Sequence, residues 1–550
     1  MKYLLYLFVI FFFTACGSSG GSPGKSTSRA PSSITTSSPD TLMNDNFSRY
    51  QWYVEDKGLT VDKFGTVSSG LADLMLDNVY RNEDGSIRYI GYNNGNPIIV
   101  QVVDDGVDAN HEDLKDNMHL ASSYNMVTGL NDPTPVTPPL ETHGTNVAGI
   151  IGAVGYNNVG IKGIAPSSNI SGFKLKTVDD EGTYFETDKE ALEKAWLTGN
   201  NANEIAISNN SWGSCIDNDP ENSEEILKMG AETLRDGKGR IYVFSAGNSR
   251  GGCSSSNMAT SNASHYNNSQ YTISVAAMNN ANGFAYYSSP GSNIMVSGYS
   301  GGHSLGSDNP QPAILTTTPT GVSTWSNSSQ EDKSKSYDFR FSGTSAAAPV
   351  VSGSLALVLE ACPDLTYRDV KELIANTSLM PISAPVTTNS AGLTHSNDYG
   401  FGLINVEGMI NTCTSPFYTH LPAKQTITMN NNTVESIPVI KTITVTENMS
   451  VEWLGLTVKS NYSLPANLGI EIISPSGTTS TLLHTNNQFS GSGTILPSDS
   501  TFIDGQRFSS VAFYGEDARG DWEVNFITTN GNATGTLNEI TLELVGNEGR

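Results

Sequence analysis

Two kinds of hydrophobic pattern follow one another along the chain. Up to about residue 413 the apolar positions come in continuous runs. Ile98-Ile99-Val100-Gln101-Val102-Val103 reads as a strand buried on both faces, and so does Val243-Phe244-Ser245-Ala246. Small residues 146–153 and the apolar stretch 350–361 read as buried helices. Beyond Thr414 the pattern switches to short alternating runs at residues 450–458, 468–473 and 522–527, separated by Asn, Gly, Ser and Pro. That is an all-β signature. The pattern predicts an α/β domain with a parallel sheet flanked by helices, followed by a β-sandwich. The first apolar run, residues 3–13, is about a dozen residues long, the length of a signal-peptide core and too short to span a bilayer.

Composition narrows the function classes. A length of 550 residues exceeds one ordinary domain. Thirty Lys and Arg against 55 Asp and Glu give a net charge of −25, which repels phosphate backbones and argues against a nucleic-acid partner. A hydrophobic content of 37% supports real cores and excludes wholesale disorder. Residues 17–39 are rich in Gly, Ser, Thr and Pro and read as a tether that packs no core. Besides Cys16 there are four cysteines, Cys215, Cys253, Cys362 and Cys413. An even number in an exported chain suggests two disulfides, with three pairings open, and no CxxC or Cys/His cluster favours zinc.

The candidate chemistry lies at the ends of the apolar runs. Asp104, in Asp104-Asp105-Gly106, ends the first predicted strand, where open α/β sheets carry their functional groups. His143-Gly144-Thr145 opens the small-residue helix, and Ser342-Gly343-Thr344-Ser345 leads into the long apolar one. Gly343 permits a sharp approach and sets Ser345 at a helix N-terminus, which favours developing negative charge. A serine nucleophile needs a base, and the base needs a carboxylate to fix its tautomer. The order Asp, His, Ser, with Val102-Val103-Asp104-Asp105-Gly106-Val107-Asp108, His111-Glu112-Asp113-Leu114, His143-Gly144-Thr145 and Gly343-Thr344-Ser345-Ala346, resembles the subtilisin-like serine proteases of the kexin/furin branch.

The resemblance implies Asp104 as orienting carboxylate, His143 as general base and then acid, and Ser345 as nucleophile. It places the oxyanion-hole amide at Asn248. Ser211-Trp212-Gly213 and Gly247 become opposite walls of the primary specificity pocket. Because Cys215 and Cys253 each follow one of these walls, and Cys362 and Cys413 each follow a helix, the pairings Cys215–Cys253 and Cys362–Cys413 are favoured. Two positions where the branch carries pocket carboxylates fall on Ser264 and on Ile216, with Asp217 one step beyond; Asp105 is expected to face the residue before the scissile one. Cleavage after basic residues therefore does not simply carry over, although Asp217 and the net charge lean towards cationic peptides. A structural calcium ion is implied at Asp45, Asp113, Asn157 and the carbonyls of Val154, Val159 and Ile161, an oxygen set suited to a hard cation.

Asn467-Leu468-Gly469-Ile470-Glu471-Ile472-Ile473 and Gly520-Asp521-Trp522 resemble the convertase P-domain, a jelly-roll sandwich. Phe13-Thr14-Ala15-Cys16-Gly17 resembles a bacterial lipobox, implying lipidation of Cys16. The expected organisation is a signal peptide at 1–15, a tether at 16–40, a protease domain at 41–413 and a P-domain at 414–550. The expected protein is a monomeric endopeptidase, anchored by lipid to the bacterial envelope or secreted, acting on proteins or peptides. The stretch between Gly17 and Asp45 is too short for a folding propeptide, which raises the expectation of a separate folding chaperone. The alternatives are an inactive surface adhesin that uses the sandwich and, less well matched by triad order, an esterase.

Overall fold

The computed structural model describes residues 45–54, 60–61, 67–68, 73–93, 96–137, 140–175, 189–213, 223–250, 260–302, 312–322, 336–462, 468–485, 504–528 and 535–549. Cys16, the tether, Cys215, Ile216, Asp217 and Cys253 lie outside these residues.

Seven strands form the central sheet: β1 (Ile99–Asp104), β2 (Tyr124–Asn125), β3 (Asn169–Lys174), β4 (Ile205–Asn210), β5 (Ile241–Ser245), β6 (Thr272–Met278) and β7 (Ile294–Tyr299). Their order is β7-β6-β5-β4-β1-β3-β2, and every pairing is parallel. β1, β4, β5, β6 and β7 are buried along their whole length, as strands covered on both faces are. The strands following β1 are laid on both sides of it. The carboxyl end of β1, where Asp104 stands, is therefore a topological switch point.

Helix α1 (His143–Gly152) and helix α2 (Thr344–Ala361) pack on the sheet, and nearly every residue of each is buried. α2 is the one helix among the described residues long and apolar enough to cross a membrane, yet it is a core helix. It begins at Thr344, six residues before the predicted apolar stretch, and carries Pro349 in its interior. α3 (Tyr367–Thr377) opens with a capping box between Thr366 and Asp369. α4 (Val406–Cys413) closes this part of the chain. Cys362 and Cys413 are bridged, with Cα atoms 6.3 Å apart, and the bond joins the end of α2 to the end of α4.

The C-terminal part is two four-stranded antiparallel sheets. One has the order β10-β17-β12-β15, from β10 (Gln425–Ser436), β17 (Thr536–Asn547), β12 (Ser450–Ser460) and β15 (Asp504–Ser510). The other has the order β11-β16-β13-β14, from β11 (Val439–Val445), β16 (Gly520–Thr528), β13 (Leu468–Ile473) and β14 (Thr479–Leu483). A short antiparallel pair, β8 (Ile314–Thr317) with β9 (Tyr337–Phe341), precedes α2. The sandwich has its own core around Trp522, Phe508, Leu454 and Ile540. Trp453, Val511, Tyr514 and Val545, however, belong to the apolar cluster of the α/β part. Polar ties reinforce that contact: Arg368 pairs with Glu452 at 2.5 Å, and Asn389 Nδ2 donates to the carbonyls of Ala512 and Tyr514 at 2.9 Å.

Candidate active site

His143 is the first residue of α1, and its Nδ1 lies 2.9 and 3.0 Å from the two oxygens of Asp104. A carboxylate only accepts, so Nδ1 carries the proton and Nε2 is left as the base. Asp104 is 2% exposed, which keeps water from competing for this bond. The local sequence explains the approach. A Cβ on Gly144 would come within 2.2 Å of the Gly106 carbonyl oxygen, so only glycine lets α1 dock on the aspartate turn. Thr145 then ties the two together, its Oγ1 accepting from the Asp108 amide at 3.0 Å.

The expectation that Asp105 faces the substrate is corrected. Its carboxylate is 3% exposed and turned inward, where Oδ2 accepts from the His143 amide at 3.0 Å and Oδ1 from the Gly144 amide at 2.7 Å. First-turn amides lack intrahelical partners, and Thr142 at the N-cap position offers no side-chain bond. Asp105 takes that role from across the chain. Burial, and then the neighbouring Asp104 charge, push its carboxyl up to about 7.

Behind it lies a pair that the sequence reading did not single out. Lys174, at the end of β3, is fully buried; its Nζ donates to Glu141 Oε1 and to the Asp105 carbonyl, each at 2.6 Å. Glu141 Oε2 accepts from the amides of Val136 and Thr137 at 2.8 and 3.0 Å. The available signal was a lysine ending the otherwise uncharged stretch Ile170-Ser171-Gly172-Phe173-Lys174.

Ser345 is the second residue of α2, after Gly343 with φ +91° and ψ 165°. Pro349 has no N–H, so the Ser345 carbonyl four residues earlier lacks its helical donor. Ser211 Oγ supplies one at 3.0 Å, and Ser345 Oγ in turn donates to the Ser211 carbonyl at 3.0 Å. Asn248, just after β5, accepts at Oδ1 from Thr344 N at 2.8 Å and from Thr344 Oγ1 at 2.9 Å. With the oxygen so engaged, the amide nitrogen is the end left to donate. It lies beside the serine turn, 3.2 Å from where a Cβ on Gly343 would stand.

Ser211, Trp212 and Gly213 follow β4 directly, and Gly213 is exposed. Trp212 anchors this segment: its indole donates to the Val103 carbonyl at 2.7 Å and stacks on Trp196 with centroids 6.0 Å apart. In the segment after β5, Gly247 N donates to Thr344 Oγ1 at 3.1 Å. Ser264 is buried, and its hydroxyl has no partner among the described residues.

The expected calcium ligands come together on the loop after α1. Asp45 accepts at Oδ2 from Tyr156 N (2.9 Å) and at Oδ1 from the amides of Asn157 and Asn158 (2.9 and 3.1 Å). Asp113 Oδ2 accepts from Ile161 N at 2.8 Å, and its backbone carbonyl accepts from Val154 N at 2.8 Å. Asn157 turns its NH2 towards Asp113 at 3.5 Å, and its Oδ1 accepts from Val159 N at 2.8 Å. Burial, with the charges of Asp45 and Glu112, pushes Asp113 up to about 8. Two buried carboxylates beside one loop are oxygen ligands suited to a hard divalent cation, while the loop turns amide N–H groups, and Asn157 its NH2, towards them. Among the described residues no three His, Cys, Asp or Glu side chains gather tightly enough to hold an ion by themselves, so such an ion needs the loop's carbonyl oxygens as well.

This arrangement coincides with a family pattern. The model of the subtilase family matches residues 95–402, more than half of the chain, and that of the proprotein convertase P-domain matches residues 451–544. The chain belongs to the subtilase family. It is a subtilase with a C-terminal P-domain, and membership makes it a serine endopeptidase that acts on peptides or proteins. The Aeromonas extracellular serine protease of Aeromonas sobria is 30% identical over 90% of this chain and 86% of its own length. Human furin is 29% identical over 82% of this chain, which spans only 54% of furin. The crystal structure of the Aeromonas sobria serine protease has a TM-score of 0.77 at 25% identity and covers 94% of this chain and 100% of that one. The same protease has been solved in complex with a chaperone, with a TM-score of 0.77, 25% identity, and 92% and 95% coverage.

Proposed function

We propose that this subtilase hydrolyses peptide bonds through Asp104, His143 and Ser345, with Asn248 and the Ser345 amide as oxyanion donors. The single observation that carries the reading is the bidentate contact of His143 Nδ1 with Asp104, which leaves Nε2 unprotonated for base duty. The Ser345 hydroxyl turns about χ1 from the Ser211 carbonyl to His143 Nε2 and surrenders its proton as Oγ attacks the scissile carbonyl. Charge developing on the carbonyl oxygen meets Asn248 Nδ2 and Ser345 N–H. The imidazolium, balanced by Asp104, returns the proton to the leaving amine. Water then enters by the same route in reverse and frees Ser345 from the acyl group. An organophosphonate probe is expected to label Ser345 in the native chain and to leave His143→Ala unlabelled. Labelling that survives in the variant, or occurs elsewhere, would falsify the assignment; a native chain that takes up no label would favour the adhesin reading, in which the protease fold is a scaffold only.

The walls formed by Ser211-Trp212-Gly213 and Gly247 hold the substrate residue before the cut. A leaning towards cationic peptides rests on the −25 net charge and Asp217, and cleavage of a peptide library measures it. A calcium ion held by Asp45, Asp113, Asn157 and the carbonyls of Val154, Val159 and Ile161 lifts the mutual repulsion of the two carboxylates. Chelation is expected to lower Tm, and added calcium to restore it. The Cys16 lipid anchor follows from the lipobox resemblance, and loss of labelled fatty acid incorporation in Cys16→Ser tests it. A folding chaperone is supported by the solved complex of the Aeromonas sobria protease; full activity of the chain expressed alone would dismiss it.

A further inference from the structure

Ser345 inherits its direction from the two peptide groups before it, and the Gly343 peptide is gripped at both ends. The Gly343 N–H donates to the Tyr287 hydroxyl at 2.9 Å. The Gly343 carbonyl accepts from Ser300 Oγ at 2.8 Å. The Tyr287 hydroxyl donates to the Gly301 carbonyl and lies 2.9 Å from Ser300 Oγ. Each hydroxyl has one proton, and each proton is spent, that of Tyr287 on Gly301 and that of Ser300 on Gly343. The phenol oxygen is thus left to receive the Gly343 amide. Burial holds this phenol well above its ordinary pKa, so it stays a neutral acceptor.

Ser300 directly follows β7, and Tyr287 stands in the turn region of the loop that leads to β7. Packing alone does not account for them. The ring makes its edge contact with Tyr286 at 5.1 Å whether or not it carries an oxygen, and a phenylalanine fills the same space. A buried hydroxyl without a partner is costly, and here its partners are the backbone groups of the serine turn.

We propose that Tyr287 and Ser300 are positioning residues for the cleavage reaction. Together they lock Gly343 at positive φ, the conformation that aims the Ser345 hydroxyl and the Ser345 amide at one carbonyl. The inference rests on the assignment of Ser345 as nucleophile. Loosening the clamp lets the turn relax, and a small displacement there weakens attack and oxyanion contact together while leaving the substrate walls in place.

The test uses the full chain, with concentrations set by titration of labelled Ser345. In Tyr287→Phe and in Ser300→Ala, kcat is expected to fall about 10- to 100-fold with KM within about twofold. Affinity for a peptide boronate, which forms a tetrahedral adduct on Ser345, falls by the same factor, whereas affinity for a non-covalent product peptide does not change. The double variant is expected to lose less than the product of the two single losses, because both hydroxyls restrain one residue, Gly343. Unchanged kcat and boronate affinity in folded variants overturn the clamp; so does a loss that appears equally in product-peptide affinity. If Tyr287→Phe does not fold, Ser300→Ala carries the same test. A native chain unlabelled at Ser345 overturns the nucleophile assignment instead, which separates the two failures.

Discussion

The supports around His143 are ionic, and those around Ser345 are neutral. On the imidazole side stand Asp104, Asp105 and Glu141, with Lys174 buried among them. On the serine side stand the Asn248 amide, the hydroxyls of Thr344, Ser211, Tyr287 and Ser300, and backbone groups. The difference suits the charge that each side would receive in the proposed mechanism. There a cation forms on the ring and persists until the leaving group departs, so a fixed carboxylate is an asset. An anion forms transiently at the carbonyl oxygen. A fixed carboxylate near it would oppose that charge, and oriented dipoles stabilise it without altering the resting state.

Breaking the ionic side is expected to cost the most in stability. Lys174→Met strands Glu141 as a buried charge and should lower stability by about 3–5 kcal/mol. Glu141→Gln in the same chain should recover a good part of it, as read from urea unfolding. Equal stability of the single variant and the native chain would mean that the pair does not hold the aspartate turn. On the neutral side, Asn248→Ala should raise the barrier by about 3 kcal/mol with KM nearly unchanged, measured by steady-state kinetics. Ser211→Ala leaves the Ser345 carbonyl without its donor, since Pro349 supplies none; about 1–2 kcal/mol of stability is expected to go, read from the shift in Tm.

The smallest effect sharpens the contrast by pH. The Asp105 carboxyl is raised to about 7 from an ordinary value of 3.8. A raised carboxyl contributes stability that is complete below 3.8 and fades as pH climbs through about 7. Asp105→Asn should therefore show a flatter stability profile between those limits than the native chain, while Tyr287→Phe should run parallel to it. Parallel profiles for both variants would sink the ionic account of the imidazole side.

Much of the proposed site's framework was legible in the chain, because Asp104, His143 and Ser345 sit where strands and helices end and their neighbours have local jobs. Gly144 and Gly343 are required by close approach and by positive φ, which a motif can display. The Cys362–Cys413 bridge was legible for the same reason, each cysteine ending a helix. The expectation for Asp105 came from the resemblance alone, and nothing in the local sequence shows that its carboxylate caps a helix. Only the arrival of α1, nearly forty residues later, turns it inward. Lys174, Glu141, Tyr287 and Ser300 stayed hidden because their partners are distant in sequence and backbone contacts leave no residue signature. The N-terminus of α2 at Ser345 was legible from Gly343, but not the bond that Pro349 removes and Ser211 makes up. The alternation beyond Thr414 announced strands, but their partition into two sheets depends on pairings that alternation does not encode.

Trp453, Val511, Tyr514 and Val545 fill part of the enzyme's own apolar interior although they are attached to the other half of the chain. The two halves should therefore melt together in a single calorimetric endotherm. A fragment ending near residue 414 would carry a raw hydrophobic scar where those four side chains had been, and self-association is the fate such a fragment invites.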